Sequence, residues 1–350
     1  MAEDTLPELA QGTPTPDGPM MARPVRPSVT LRSFWGNRSR PEGTGTGIVI
    51  VGAWGALVLG SALYRSDFLS HQTLLAVTFT MAIVGVLSVG QALVAISGAI
   101  LDLSVPTALI LPSWAIVSLL GQGINIFLVI LAALAVGGAW GLFNALIIVF
   151  GKINPIIVTL GTNFAGAAML NILFENAQTP ISSGLAKWGQ GKFLGLPNIF
   201  WPMLLVVALA GYFVPRSRVG RHMIAVGGSS QAARARGISL RKTRFAVFVI
   251  SGMLSGVAAL LFTASDLYFI PNDGSNFLLP TLATIIVAGI ALSGGAGNLW
   301  LVLLSVGFIS TVTTALAFYG LSDVWQQPPP GAILMIAVSI DGYRRIRSRR

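Results

Sequence analysis

The chain contains no cysteine and only two histidines, His71 and His222, far apart in its 350 residues. A disulfide framework, thiol chemistry and a cysteine-based metal site are therefore closed to it, and two distant histidines argue against a structural metal centre. Charge is scarce as well: a tenth of the residues are charged, with 12 acids against 22 Lys/Arg. The apolar runs that fill most of the chain carry no carboxylate or basic residue at their middle. Asp102, Glu175 and Asp341 fall at or near their ends, and Asp266 and Asp273 in a connecting loop. Ser/His/Asp sets, paired carboxylates and His-rich zinc patterns are missing from these runs, which argues against an intramembrane hydrolase and leaves no catalytic or metal-binding residue to nominate. The same scarcity counts against a proton- or sodium-coupled carrier, because a coupling ion commonly needs an ionisable ligand at membrane depth. Unwound backbone carbonyls stay open as another way to hold an ion. If this chain moves solute uphill, the energy comes from elsewhere.

Hydrophobic residues make up 54% of the chain and the mean hydropathy is +0.77. Apolar runs near the ~20 residues that cross a bilayer core recur throughout, which predicts an all-α polytopic membrane protein. Ten candidate spans fall at 48–64, 73–97, 104–121, 124–150, 155–174, 198–214, 245–265, 278–292, 299–318 and 331–343. Residues 1–47, rich in Pro, Gly, Thr and Arg, have no periodic apolar face and are expected to form a disordered tail, not a cleavable signal peptide. A membrane domain is expected over 48–343 and a basic interfacial tail over 344–350. With the N-terminus inside, ten crossings put 19 of the 22 Lys/Arg on the inside and leave Arg65, Lys187 and Lys192 outside. That asymmetry follows the positive-inside rule and predicts cytoplasmic termini. The net charge of +10 thus orients the chain in lipid; its positive residues flank spans instead of interleaving with aromatics, so nucleic acid is not an expected partner.

The segment 215–244 holds eight of the Lys/Arg residues, so it cannot lie in hydrocarbon. Its run Gln231-Ala-Ala-Arg-Ala-Arg236 is helix-prone, which predicts a docking element for a soluble partner. Three breaks punctuate the apolar runs. In Ser97-Gly-Ala-Ile-Leu-Asp-Leu-Ser-Val-Pro106, Gly98 relaxes the chain and Asp102 or Ser104 is placed to cap the helix that Pro106 helps start. The alternatives are a capped turn or a broken helix facing a solute path. Ile153-Asn-Pro-Ile-Ile-Val-Thr-Leu-Gly-Thr162 opens a span with Pro155 and offers Thr159 and Thr162, hydroxyls that either bond back to their own helix or line a pore. Ala291-Leu-Ser-Gly-Gly-Ala-Gly-Asn-Leu-Trp300 suits a tight turn that admits a second backbone. Gly137, Gly138 and Gly141 are expected to let helices pack closely, while Gln91, Asn144, Asn163 and Asn171 offer either a solute contact or a bridge between helices.

Taken in order, Ile-Leu-Asp-Leu-Ser-Val at 100–105, Asn-Pro-Ile-Ile-Val-Thr-Leu-Gly-Thr at 154–162, Gly220-Arg-His-Met-Ile-Ala-Val-Gly-Gly-Ser, Ala232-Ala-Arg-Ala-Arg-Gly-Ile238, Leu-Ser-Gly-Gly-Ala-Gly-Asn-Leu-Trp at 292–300 and Trp325-Gln-Gln327 resemble permease subunits of ribose-type monosaccharide ABC importers, in the sugar/branched-chain amino-acid permease family. The likeness covers roughly residues 50–342. It departs in the spacing from Gly98 to Asp102, in Pro106, in Ala296, where relatives often carry a basic residue, and in Pro328-Pro-Pro330. It implies a type II importer in a bacterial inner membrane, with the pathway formed by this chain and a second copy or paralogue. A cytoplasmic ABC ATPase would drive it and a solute-binding protein would deliver a monosaccharide or related polyol. ATP is then used through the partner, and the chain itself binds no cofactor. A branched-chain amino acid or autoinducer-type solute, or an ion-coupled carrier, stays open as an alternative.

The same resemblance implies that Arg221 to Ile238 seats in a groove of the ATPase. Gly227 and Gly228 would make its turn, Ala232, Ala233 and Ala235 its packed face, and Arg234 and Arg236 its polar contacts, with Gly237 and Ile238 in the same coupling element. Asp102, Ser104, Asn144, Thr159, Thr162 and Asn163 are the pathway candidates.

Overall fold

A computed structural model of the chain describes residues 42–173, 184–265, 270–322, 325, 327–336 and 339. Almost all of this is helix. In chain order the helices are α1 (Glu42–Tyr64), α2 (His71–Val94), α3 (Val105–Gly121), α4 (Ile126–Gly151), α5 (Pro155–Leu173), the short α6 (Gly184–Gly189), α7 (Phe200–Arg216), α8 (Arg218–Gly228), α9 (Ser230–Ala235), α10 (Leu240–Ser265), α11 (Leu278–Val287) and α12 (Trp300–Phe318). A last helical stretch begins at 328. A two-residue hairpin, β1 (Lys192–Phe193) with β2 (Leu196–Pro197), turns at Leu194 and Gly195, both at positive φ.

The helix starts are written locally in the sequence. Ser70 caps α2 through Thr73 N–H, Asn125 caps α4 through Phe127 N–H, and Asn154, just before Pro155, accepts from Ile156 N–H at 2.9 Å. Ser217 and Ser229 do the same for α8 and α9. Each side-chain oxygen takes an amide that the first helical turn leaves unpaired.

Helix α2 is the axis of the bundle: 89% of its most apolar stretch is buried, against 28% for α5. Around it, α4 and α10 meet through glycines on both sides. A Cβ at Gly141 would overlap the Phe248 carbonyl, one at Gly252 the Gly137 carbonyl and one at Gly256 the Ala133 carbonyl. The glycine spacing of four on each helix is what lets the two backbones approach, as expected for Gly137 and Gly141. The outer faces of α4 and α5 expose Phe127, Leu131, Phe143, Phe150, Ile157, Phe164 and Ile172, a surface that suits lipid.

Each of the ten expected spans coincides with a helical stretch, but their lengths differ. Among the described residues, six helices are long and apolar enough to cross a membrane, or seven if α7 and α8, bent by 73° at Ser217, count as one span. The stretch expected at 278–292 is shorter than the apolar run implied: α11 has 10 residues, about 15 Å or half of a ~30 Å hydrocarbon core. Gly289, Gly294 and Gly295, all at positive φ, turn the chain out of helix beyond it. The expected boundary at 48 also moves, since α1 begins at Glu42. Residues 337, 338 and 340–343 of the last expected span, and the tails 1–41 and 344–350, lie outside the described residues.

Helix directions define two ends. Residues 216–241 lie at one end, called the basic end. The starts of α2 and α11 and the end of α12 lie at the other.

Candidate functional site

Helix α2 ends in a π-turn, Ala95–Ala99, and then breaks. Gly98 stands at φ 78° and Ile100 at φ 67°, a costly conformation for a β-branched residue that persists because the surroundings fix it. Those surroundings are a buried hydrogen-bond network. Gln91 brackets the Asp102 backbone, donating to its carbonyl at 3.1 Å and accepting from its N–H at 3.3 Å. Asp102 Oδ1 accepts from the Ser104 N–H at 2.8 Å and the Ser104 hydroxyl at 2.7 Å. Ser104 Oγ in turn accepts from Trp140 Nε1 and from Asn144 Nδ2 at 3.0 Å. Thr162 donates to Asn144 Oδ1 at 2.6 Å, Thr159 Oγ1 accepts the Leu103 N–H at 2.9 Å, and Asn163 Oδ1 accepts from Thr107.

All six pathway candidates, with Gln91, therefore meet in one place, whereas Asn171 sits apart and bonds back to Ala167 O. The network ties the break to α4 and α5. Its groups bond to one another, and Thr159 and Thr162 also bond back to Pro155 O and Thr159 O on their own helix. Of the two capping candidates, Asp102 is the one whose side chain caps, through Ser104 N–H; the Ser104 side chain makes no cap bond.

At the basic end, α8 and α9 form a bent pair joined at Ser229, which has extended backbone. The expected Gly227-Gly228 turn is thus displaced: both glycines are the last residues of α8. Gly227 instead makes a close approach. A Cβ on it would overlap the Ile96 carbonyl oxygen, and one on Gly294 would stand 2.7 Å from Gly98 Cα and 2.9 Å from Gly227 Cα. Gly295 N–H donates to Ile96 O at 2.8 Å. The end of α8, the π-turn of α2 and the 291–297 turn thus meet backbone to backbone through glycines that no larger residue could replace without displacement.

Helix α9 ends in a Schellman motif: Gly237 at φ 76° donates to Arg234 O and Ile238 N–H to Ala233 O. Ala233 is buried within the chain itself, while Ala232, Arg234, Ala235 and Arg236 are exposed. The three-alanine face is therefore divided, with Ala233 turned inward. Arg221 is exposed and donates to the Arg216 carbonyl.

At the opposite end lies a cavity of ≈ 290 Å³ between α2, the 273–277 turn leading into α11, and α12. Thr80, Asn276, Thr313, Thr314 and Gln327 supply its polar lining, and Gln327 Nε2 donates to Asn276 Oδ1 at 2.6 Å. A second cavity of ≈ 450 Å³ shares Ala76 and Thr80 with it and adds Gln190, Lys192 and Ser265. A hollow that mixes apolar side chains with convergent amides and hydroxyls is a form that small-molecule sites take. Sequence reasoning missed Thr80, Asn276, Thr313 and Thr314. Gln327 alone was signalled, within the Trp325-Gln-Gln327 element.

A helical bundle with several helices of membrane-spanning length, apolar outer faces and a broken central helix defines a polytopic membrane protein. The particular family follows from comparison. Residues 73–338 match the family described as branched-chain amino acid transport system / permease component, and the chain belongs to it. It is similar to the ribose import permease protein RbsC of Haemophilus influenzae, 29% identical over 289 residues that cover 81% of this chain and 88% of that protein. It is also similar to the autoinducer 2 import system permease protein LsrC of Enterobacter sp. (strain 638), 31% identical over 85% of this chain and 86% of that one. The RbsC of Bacillus subtilis is 29% identical over 81% and 89%. No solved structure matches the chain.

Proposed function

We propose that this chain is the permease subunit of an ATP-binding-cassette importer for a monosaccharide or related polyol. The observation that carries the proposal is the position of the basic helix pair. Its outer side presents Arg234, Ala235 and Arg236, while its inner side rests through Gly227 on the π-turn of α2. A force on that surface reaches the central helix with no intervening loop, which is the arrangement an ATP-driven rigid-body tilt requires. Arginine forks there are suited to acidic or carbonyl groups on a cytoplasmic ATPase. The positive-inside asymmetry supports placing this end in the cytoplasm, with both termini on that side.

The cavity at the other end then faces a solute-binding protein. Its five hydroxyl and amide side chains suit a solute that is itself rich in hydroxyls. An autoinducer-type solute is the second reading, favoured by the similarity to LsrC. A second permease copy or paralogue completes the pathway on the lipid-facing side of the bundle.

Uptake of radiolabelled D-ribose, D-xylose and D-glucose should persist in energised cells after proton and sodium gradients are collapsed, and stop when ATP is depleted. Uptake that follows either gradient instead would overturn the proposal in favour of a secondary carrier.

A further inference from the structure

Helices α7 and α10 both pack on α2 and leave between them a groove of ≈ 320 Å³. Val206 and Ala210 of α7 and Ile250 and Leu254 of α10 wall it, and the buried Val89 and Leu93 of α2 form its floor. Ser217 has the one polar side chain among its lining residues, and that oxygen is taken by Gly220 N–H at 3.0 Å. Leu209 and Phe213, which also line it, are about half exposed, so the groove opens on the apolar outer surface. From Val206 to Ser217 the chain of α7 rises about 16 Å, half of a ~30 Å hydrocarbon core and hence the depth of one leaflet.

The basic end of the groove is closed by the elbow where α7 turns by 73° into α8. Three arginines stand on that elbow. Arg216 lies over the Tyr212 ring at 4.3 Å and donates to Tyr212 O, Arg221 donates to Arg216 O, and Arg218 is exposed on the first turn of α8. Carbonyls accept these bonds without neutralising charge, and no Asp or Glu occurs in sequence between Glu175 and Asp266. An arginine stacked on an aromatic ring where an apolar helix ends is the usual composition of a membrane interface.

We propose that this groove holds one anionic phospholipid, its acyl chain lying between α7 and α10 and its phosphate held by Arg216 and Arg218 at the elbow. A cleft one leaflet deep with an apolar lining fits a hydrocarbon chain and offers a polar solute no hydrogen bonds. Basic pockets between membrane helices retain anionic headgroups, and guanidinium forks match phosphate oxygens. A second copy seated in the groove about a two-fold axis would bring the same arginines to face one another, like charge against like. The bound lipid braces the elbow from which the basic helix pair hangs. The proposal rests on the membrane fold and not on which solute is carried.

The test places the full chain, with the partners that co-purify, in phosphatidylcholine nanodiscs. These contain a trace of either phosphatidylglycerol or phosphatidylcholine with a diazirine in the acyl chain. Irradiation, digestion and mass spectrometry then measure labelling of 206–214 and 250–254. One arginine near an anionic surface is worth a factor of about five, so phosphatidylglycerol should label the groove at least that much more than phosphatidylcholine. Arg216→Gln with Arg218→Gln should erase the preference, and Ala210→Phe, which fills the groove, should remove labelling there by both lipids. Equal labelling by the two lipids in the wild type overturns the site, as does a preference that survives loss of both arginines. A groove that takes no label overturns it too, since protein then covers it. Should Ala210→Phe fail to fold, the arginine variant, altered only at exposed positions, decides.

Discussion

Two sets of polar side chains are buried in this bundle, and they differ in what they find there. At the break after α2, Asp102, Ser104, Asn144, Thr159 and Thr162 bond to one another and to the turn backbone, so that Ser104 Oγ alone takes part in three hydrogen bonds. Two turns away on α2, Ser88 meets nothing, and neither do Thr281 and Ser310 on the neighbouring helices. Burial is the same, and composition is similar. The contrast teaches that polarity inside a membrane bundle is not by itself a mark of the solute route. A network whose members satisfy one another is a fastening, whereas a buried hydroxyl without a partner contributes nothing to holding the bundle together.

Mutations can break or sharpen this contrast. The largest effect is expected at Ser104→Ala, which leaves the Trp140 and Asn144 donors without their acceptor. Thermal unfolding of the detergent-solubilised complex should show a loss of about 3 kcal/mol. Asn144→Leu is nearly isosteric and orphans fewer groups, because Thr162 keeps its bond to Thr159 O; it should cost about 2 kcal/mol in the same assay. Either variant melting like the wild type would dissolve the distinction between the two sets. The smallest effect belongs to Thr281→Val. Removing an unpartnered hydroxyl should change stability by no more than about 0.5 kcal/mol, and in the stabilising direction. A clear loss there would place Thr281 among the fastenings.

Much of this was legible in sequence. Apolar runs of span length and clustered glycines are local signals, and the helices and the close packing at Gly137 and Gly141 follow from them; that α10 is the partner there does not. The family was legible too, in motifs clustered at the breaks and in the basic segment, and the match over 73–338 bears it out. What escaped was set by tertiary geometry. The hydroxyls at 80, 313 and 314 look like any polar residue on an apolar helix; three elements must converge before they line a cavity. Residues 278–292 stay apolar where the chain has already left helix, since glycines at positive φ leave hydropathy unchanged. The alanines of 232–235 share a composition but not a face: about 100° per residue turns Ala233 inward while Ala232 and Ala235 stay outside.

One consequence of α2 concerns timing. Thr80 at the cavity, Gln91 at the network and Ile96 against Gly227 all sit on one rod, α2 with the π-turn that ends it, about 24 Å from first to last at ~1.5 Å per residue. Whatever displaces its inner end displaces the wall of the cavity in the same instant, by an amount fixed by lever arms. Entry and exit are thus geared to one shaft, with no relay between them that could slip.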